Sequence, residues 1–298
     1  MAKKITTSIF AAVVFVMLLM TEHSFITNDQ TDTVTKAPVT VITTDDLHED
    51  TVSVTYPSIS ETEPEPEITV PCAVSIEMIP NPDAVADPRA PLYLPPVSSA
   101  DAPEFYSDAA FIGDSVSVML SWYAANTELS DAVFLTRECY SMAHAANSTM
   151  LVQYNGEEMT PEDALLASGV KKVFIMLGTN DLAAYGIPLT LEHWEAVIPR
   201  IREKCPDIQI YIQSCMPIWT GGEVGILNNT EMDSLNANLR EFAEAWECFY
   251  IDISSFMKDS TGGLASIYCS DCYVHLTNEG ADAWMRILLA YADAIMVS

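Results

Sequence analysis

Basic residues are scarce in this 298-residue chain: 13 Lys+Arg stand against 42 Asp+Glu, a formal charge of −29. An anion of that strength repels nucleic-acid phosphates and anionic lipid headgroups, which excludes general DNA or RNA binding and membrane docking through a basic patch. Glycine is missing from the whole N-terminal third: all eleven lie at or after Gly113, whereas twelve of the seventeen prolines lie at or before Pro103. Foldable, turn-rich chain and extended chain therefore occupy different regions. The folded domain is expected over residues 106–298.

Long apolar runs are absent except at the start, where Lys3 and Lys4 precede Ile5 to Met20, interrupted only by Thr6, Thr7 and Ser8. As a helix this run spans about 24 Å, somewhat less than the roughly 30 Å of a bilayer core. Residues 1–21 thus read as a signal peptide or an N-terminal membrane anchor. No small-x-small cleavage site follows Met20, and the two lysines favour the cytoplasmic side, so an anchor with the domain outside is the preferred reading. Cleavage of the signal would instead give a secreted protein.

Residues 22–105 are rich in Thr, Val, Pro and acid, with Glu61-Thr62-Glu63-Pro64-Glu65-Pro66-Glu67 at the centre. Residues 21–105 carry 16 acids against two bases and no glycine, so charge repulsion and proline predict a disordered, stalk-like linker. Alternating stretches such as Thr51-Val52-Ser53-Val54-Thr55 leave a small β domain as the rival reading. Cysteine numbers seven, an odd count, so at least one thiol is free or intermolecular. Cys269-Ser270-Asp271-Cys272 has redox-pair spacing, but it lies near the C-terminus instead of opening a helix after an early strand.

From Asp108 onward, short apolar strands alternate with amphipathic helices. The candidate strands are Ala109 to Ile112, Ala132 to Leu135, Val173 to Leu177, Ile208 to Gln213 and Phe249 to Ile253. The candidate helices are Val116 to Ala125, Leu189 to Glu203, Glu231 to Trp246 and Asn278 to Met296. This alternation predicts an α/β fold with a five-stranded parallel sheet covered by helices on both faces. Right-handed crossovers bring the loops after the strands to one sheet edge, where such folds place their sites.

That edge reads Gly113-Asp114-Ser115-Val116, then Glu138-Cys139-Tyr140-Ser141, Gly178-Thr179-Asn180-Asp181 and Ser214-Cys215-Met216-Pro217. A further segment, Asp271-Cys272-Tyr273-Val274-His275-Leu276-Thr277, precedes the last helix. Singly these are ordinary turns and caps. In this order they supply a serine at a strand-to-helix turn, a later asparagine, and an Asp and His before the final helix, the parts of acyl transfer.

On Gly113-Asp114-Ser115, Gly178-x-Asn180-Asp181 and His275-Leu276-Thr277-x-x-Gly280, residues 106–298 resemble the SGNH (GDSL) hydrolases. The resemblance implies a three-layer α/β/α flavodoxin-like fold and ester hydrolysis, with Ser115 as nucleophile, His275 as general base and Asp271 orienting the imidazole. The oxyanion hole would comprise the N–H groups of Ser115 and Cys139 with the Asn180 side chain. Two departures stand out. The family's second block is a glycine, and the corresponding stretch here, Arg137-Glu138-Cys139-Tyr140-Ser141, contains none; the family's Asp-x-x-His spacing is also lengthened, with Cys272 three residues before His275 and Asp271 four before it. If the extra residue is not absorbed, His275 would be oriented by a main-chain carbonyl and work in a dyad. Asp114 reads best as a helix cap, and His144 as a second-choice base or a substrate contact.

The expected activity is hydrolysis of short acyl esters, with O-acetyl groups on cell-wall or extracellular carbohydrate suggested by the export signal. Lysophospholipid or other lipid esters remain alternatives, as does a catalytically impaired SGNH-fold surface protein that binds glycan. A redox or metal protein using Cys139, Cys269 and Cys272 is a third class. No metal or organic cofactor motif is present. The domain is expected to be monomeric and to meet membrane only through its N-terminal segment.

Overall fold

The computed structural model describes residues 74–297. The expected signal or anchor and linker residues 22–73 lie outside the described residues.

Five parallel strands form the central sheet: β1 (Ala109–Gly113), β2 (Val133–Thr136), β3 (Lys172–Met176), β4 (Gln209–Gln213) and β5 (Phe249–Ile251). Their spatial order is β2-β1-β3-β4-β5, the flavodoxin-like order, in which the chain reverses direction across the sheet beside β1. The helices are α1 (Ser115–Ala124), α2 (Met142–Asn147), α3 (Pro161–Ser168), α4 (Thr179–Lys204), α5 (Asn229–Ala245), α6 (Ser254–Met257) and α7 (Asn278–Met296).

Period-two alternation sends successive strand residues into two separate cores. Phe111, Phe174, Tyr211 and Phe249 face α1 and α7, meeting Leu120, Trp284 and Leu288. Ile112, Ile175, Ile212 and Tyr250 face the other layer, where α4 and α5 supply Trp194, Ile198, Leu235 and Leu239. Rings of the first set form a row, with centroid separations of 5.0 Å for Phe111–Phe174, 4.4 Å for Phe174–Tyr211 and 4.5 Å for Tyr211–Phe249. Each such pair contributes about 0.5–1.5 kcal/mol beyond area burial, which ties the strands together beneath α7.

The folded body begins earlier than residue 106. Residues 79–80 and 93–94 pair antiparallel, Leu92 N–H donates to the Lys258 carbonyl at 2.8 Å, and Ala102 is fully buried. Val74, Ile76, Tyr93 and Phe105 rest against the α7-side core, and the Tyr106 hydroxyl donates to the Leu288 carbonyl at 2.6 Å. This corrects the linker boundary: residues 74–105 belong to the fold. Their two-residue strands are too short to register as periodicity, and scattered apolar side chains dock without making a helix or strand pattern.

Helix α4 also starts ten residues before its expected start at Leu189. Its interior breaks at Gly186, with φ 72° and ψ 174°, so one short helix opens at Thr179 and a longer one resumes ahead of Pro188. Among the described residues, no helix is long and apolar enough to cross a membrane.

Candidate active site

Strand β1 is buried throughout and delivers Ser115 to the first position of α1. A Cβ on Gly113 would lie 2.0 Å from Ser117 Oγ, so only glycine lets the helix begin this close to the strand. The Asp114 carboxylate accepts from Val116 N–H at 3.0 Å, the N-cap role expected for it. It is only 3% exposed, and burial pushes its pKa up to about 6 against the pull of that N–H and of His275.

His275 reaches this serine from the loop before α7. Its Nε2 lies 2.9 Å from Ser115 Oγ, and its Nδ1 lies 2.6 Å from Asp271 Oδ2. The four-residue spacing is accommodated because Asp271 Oδ1 gathers three successive backbone N–H groups, from Tyr273, Val274 and His275, at 2.9, 3.1 and 3.2 Å. These bonds curl the loop into one turn around the carboxylate, with Cys272 at φ 60°. Asp271 therefore orients the imidazole, and no main-chain carbonyl is needed on Nδ1.

Burial tends to raise the Asp271 pKa, but the His275 hydrogen bond and charge, with the Tyr273 and His275 N–H groups, outweigh it and leave the carboxyl below its ordinary range. The hydrogen bond to Asp271 in turn raises the His275 pKa; burial opposes this, while the charges of Asp271, Asp114 and Glu138 add to it. The loop is buttressed by the chain after β4, where Trp219 N–H donates to the Tyr273 carbonyl at 2.7 Å.

The segment Glu138-Cys139-Tyr140-Ser141 starts beside Gly113-Asp114-Ser115, since Arg137 N–H donates to the Gly113 carbonyl at 3.1 Å. Cys139 then takes φ 58°, the left-handed region that costs an ordinary residue about 1–2 kcal/mol. Ser141 caps α2 through His144 N–H at 3.1 Å, and the same hydroxyl lies 3.0 Å from His144 Nδ1. His144 is thus engaged within its own helix turn, and burial lowers its pKa.

The Gly178-Thr179-Asn180-Asp181 segment closes over the Cys139 turn and the start of α2. Asn180 Nδ2 donates to the Tyr140 carbonyl at 2.8 Å, which leaves its second hydrogen for another acceptor. Asp181, fully buried, accepts from Met142 N–H and Ala143 N–H, both at 2.8 Å. Gly178 makes the turn possible at φ 146°, where an added Cβ would lie 3.0 Å from Cys215 Sγ. Asp181 closes the Gly178-x-Asn180-Asp181 motif, but the motif by itself assigns it no task, because both N–H partners belong to α2.

The structure thus unites Ser115, His275 and Asp271 in one hydrogen-bonded relay and ties Asn180 to the residue following Cys139. Cys139, Cys269 and Cys272 are free thiols, so the C-x-x-C pair is not closed. Among the described residues, no group of three or more His, Cys, Asp or Glu side chains forms a metal-ligand set.

A serine hydroxyl bonded to an imidazole that is itself held by a carboxylate is an arrangement for nucleophilic attack on acyl carbon. Residues 111–283 match the GDSL-like Lipase/Acylhydrolase family. The chain belongs to that family. Among solved structures it resembles a proposed acylhydrolase from Bacteroides fragilis at 18% identity and TM-score 0.51, covering 68% of this chain and 90% of the other. A GDSL-like lipase from Bacteroides thetaiotaomicron matches at 18% identity and TM-score 0.50, over 64% and 89% of the two chains. A proposed platelet activating factor from Streptococcus pneumonia matches at 19% identity and TM-score 0.50, over 64% and 91%. At these identities the likeness establishes the common fold. No curated protein matches the chain.

Proposed function

We propose that this family member is an exported serine esterase that removes short acyl groups, foremost O-acetyl groups of cell-wall or extracellular carbohydrate, through an acyl-enzyme on Ser115. The observation that carries the reading is the 2.9 Å contact of Ser115 Oγ with an imidazole whose other nitrogen lies 2.6 Å from a carboxylate.

In the first half-reaction Ser115 Oγ bonds to the acyl carbon while its proton passes to His275 Nε2. Asp271 stays ionised and offsets the imidazolium. The free N–H of the Asn180 amide and the backbone N–H groups of Ser115 and Cys139 receive the developing oxyanion, each donor supplying about 3 kcal/mol of barrier lowering. The C–O bond to the alcohol then breaks and the alcohol leaves with the Nε2 proton. Water enters, gives a proton to Nε2 and attacks the acyl carbon of the Ser115 ester; collapse breaks the acyl C–Oγ bond, releases the carboxylic acid and returns that proton to Oγ.

Address and charge support the substrate class. Lys3, Lys4 and the apolar run to Met20 fit an anchor that leaves the domain outside, and residues 106–298 carry a net −17, which disfavours polyanionic substrates. The domain is proposed to act as a monomer. The rival reading, an inactive glycan binder, rested on two departures from the family pattern; Asp271 reaches His275 across the longer spacing, and Cys139 occupies the conformation that suits glycine.

The test is turnover of p-nitrophenyl acetate, and acetate release from O-acetylated oligosaccharide, by the wild-type chain beside Ser115→Ala and His275→Ala. The reading expects release from both substrates by the wild type only. Equal rates in all three proteins would remove it.

A further inference from the structure

We infer that Asp181, together with Asn180, is a positioning residue: it holds Cys139 in a left-handed conformation so that the Cys139 N–H serves the oxyanion. The inference rests on the acyl-enzyme reading above.

Tyr140 N–H donates to the Arg137 carbonyl at 3.2 Å, which closes a β-turn with Glu138 and Cys139 at its centre. Cys139 is the third residue of this turn and has φ 58°. A turn of that shape is normally filled by glycine or asparagine, because a Cβ crowds the backbone there. A cysteine released from outside restraint would relax to negative φ, rotating the peptide that carries its own N–H. Something other than the residue's preference must therefore hold the turn.

The restraints come from the opening of α4. Asp181 uses both oxygens on consecutive N–H groups, Met142 and Ala143, and so fixes where α2 begins. Asn180 fixes the Tyr140 carbonyl. Upstream, Arg137 N–H is fixed on the Gly113 carbonyl. Glu138 and Cys139 are thus confined between anchored residues on either side. An uncompensated buried carboxylate is costly, and Asp181 is fully buried; its two N–H partners, with His193 Nδ1 3.6 Å from Oδ1, are the reason it is tolerated there. A glycine at this position would not need such a clamp; a cysteine does.

The test compares one substitution in two backgrounds. Asp181→Asn, which turns one acceptor into a donor facing an N–H, is expected to lower kcat for p-nitrophenyl acetate roughly 10- to 100-fold, with KM changed by less than about twofold. Made on a Cys139→Gly background, the same change is expected to cost less than about threefold, because glycine adopts the turn without help. Equal costs in the two backgrounds would overturn the inference, as would an Asp181→Asn enzyme with wild-type kcat. Should Asp181→Asn fail to fold, Cys139→Val decides: a β-branched residue resists positive φ, so kcat is expected to fall relative to Cys139→Gly, and equal kcat values in the two would overturn the inference. If the wild-type chain neither turns over ester nor reacts at Ser115, the acyl-enzyme reading falls and this inference with it. An active wild type with equal Asp181→Asn costs removes this inference alone.

Discussion

Asp181 and Asp271 each gather consecutive backbone N–H groups, one on either flank of Ser115, yet their surroundings are opposite. Asp181 is fully buried and spends both oxygens on the start of α2, so burial raises its pKa against the pull of its N–H partners. The Asp271 side chain is 36% exposed; it spends one oxygen on its own loop and turns the other to His275, and its pKa is lowered. The difference follows from the work each does. A carboxylate that must stay charged against a close imidazole benefits from partial solvation, whereas one that chiefly fixes backbone, with the nearest histidine nitrogen 3.6 Å away on His193, is sealed against water that would compete for its N–H groups.

Removing the end point of the Asp271 flank should have the largest effect: His275→Ala is expected to lower kcat about 10⁴-fold or more, measured with p-nitrophenyl acetate. Asp271→Asn sharpens the comparison by keeping the shape and deleting the charge. It is expected to cost about 10³- to 10⁴-fold in kcat. The Asp271 hydrogen bond is the leading cause of the raised His275 pKa, so the acid limb of the kcat/KM profile should begin above the ordinary imidazole range in the wild type and move to lower pH in Asp271→Asn. A limb that stays in place would mean that Asp271 does not control His275.

On the other flank, Asn180→Ala deletes an oxyanion donor and the bond to the Tyr140 carbonyl, and is expected to cost about 10²- to 10³-fold in kcat. Loss expressed mainly in KM would count against a transition-state role.

The smallest effect concerns stability at Asp114, which sits between the two flanks. Its carboxyl titrates near 6 in the folded chain against an ordinary 3.8. Below 3.8 both states are protonated; between 3.8 and 6 only the unfolded state ionises, so stability is lost as pH rises through that window, by on the order of 3 kcal/mol in total. Asparagine keeps the N-cap without ionising. Urea unfolding of Asp114→Asn should therefore show a gain over the parent at pH 7 that vanishes near pH 3.5, and a gain independent of pH would contradict the burial argument.

The parallel sheet was legible because strands such as Val173 to Leu177 are buried on both faces and read as short apolar runs between polar loops. The Ser115, Asn180 and His275 positions were legible because each follows a strand or precedes a helix at the expected edge. The hairpin of Val152–Tyr154 and Glu157–Met159 was passed over, although Asn155-Gly156 at its turn, both at positive φ, carried the usual signal. Residues 74–105 escaped because their docking depends on tertiary contacts, such as the Leu92–Lys258 backbone bond, that no local period encodes. The role of Asp181 was illegible for the same reason: its partners lie 38 and 39 residues earlier.

The central claim, that His275 activates Ser115 for covalent acyl transfer, is tested most directly by a fluorophosphonate probe read by intact and peptide mass spectrometry. The account predicts one adduct per wild-type chain, located on Ser115, and a labelling rate reduced by orders of magnitude in His275→Ala. An unlabelled wild-type chain, or a Ser115 adduct that forms equally fast without His275, would contradict it.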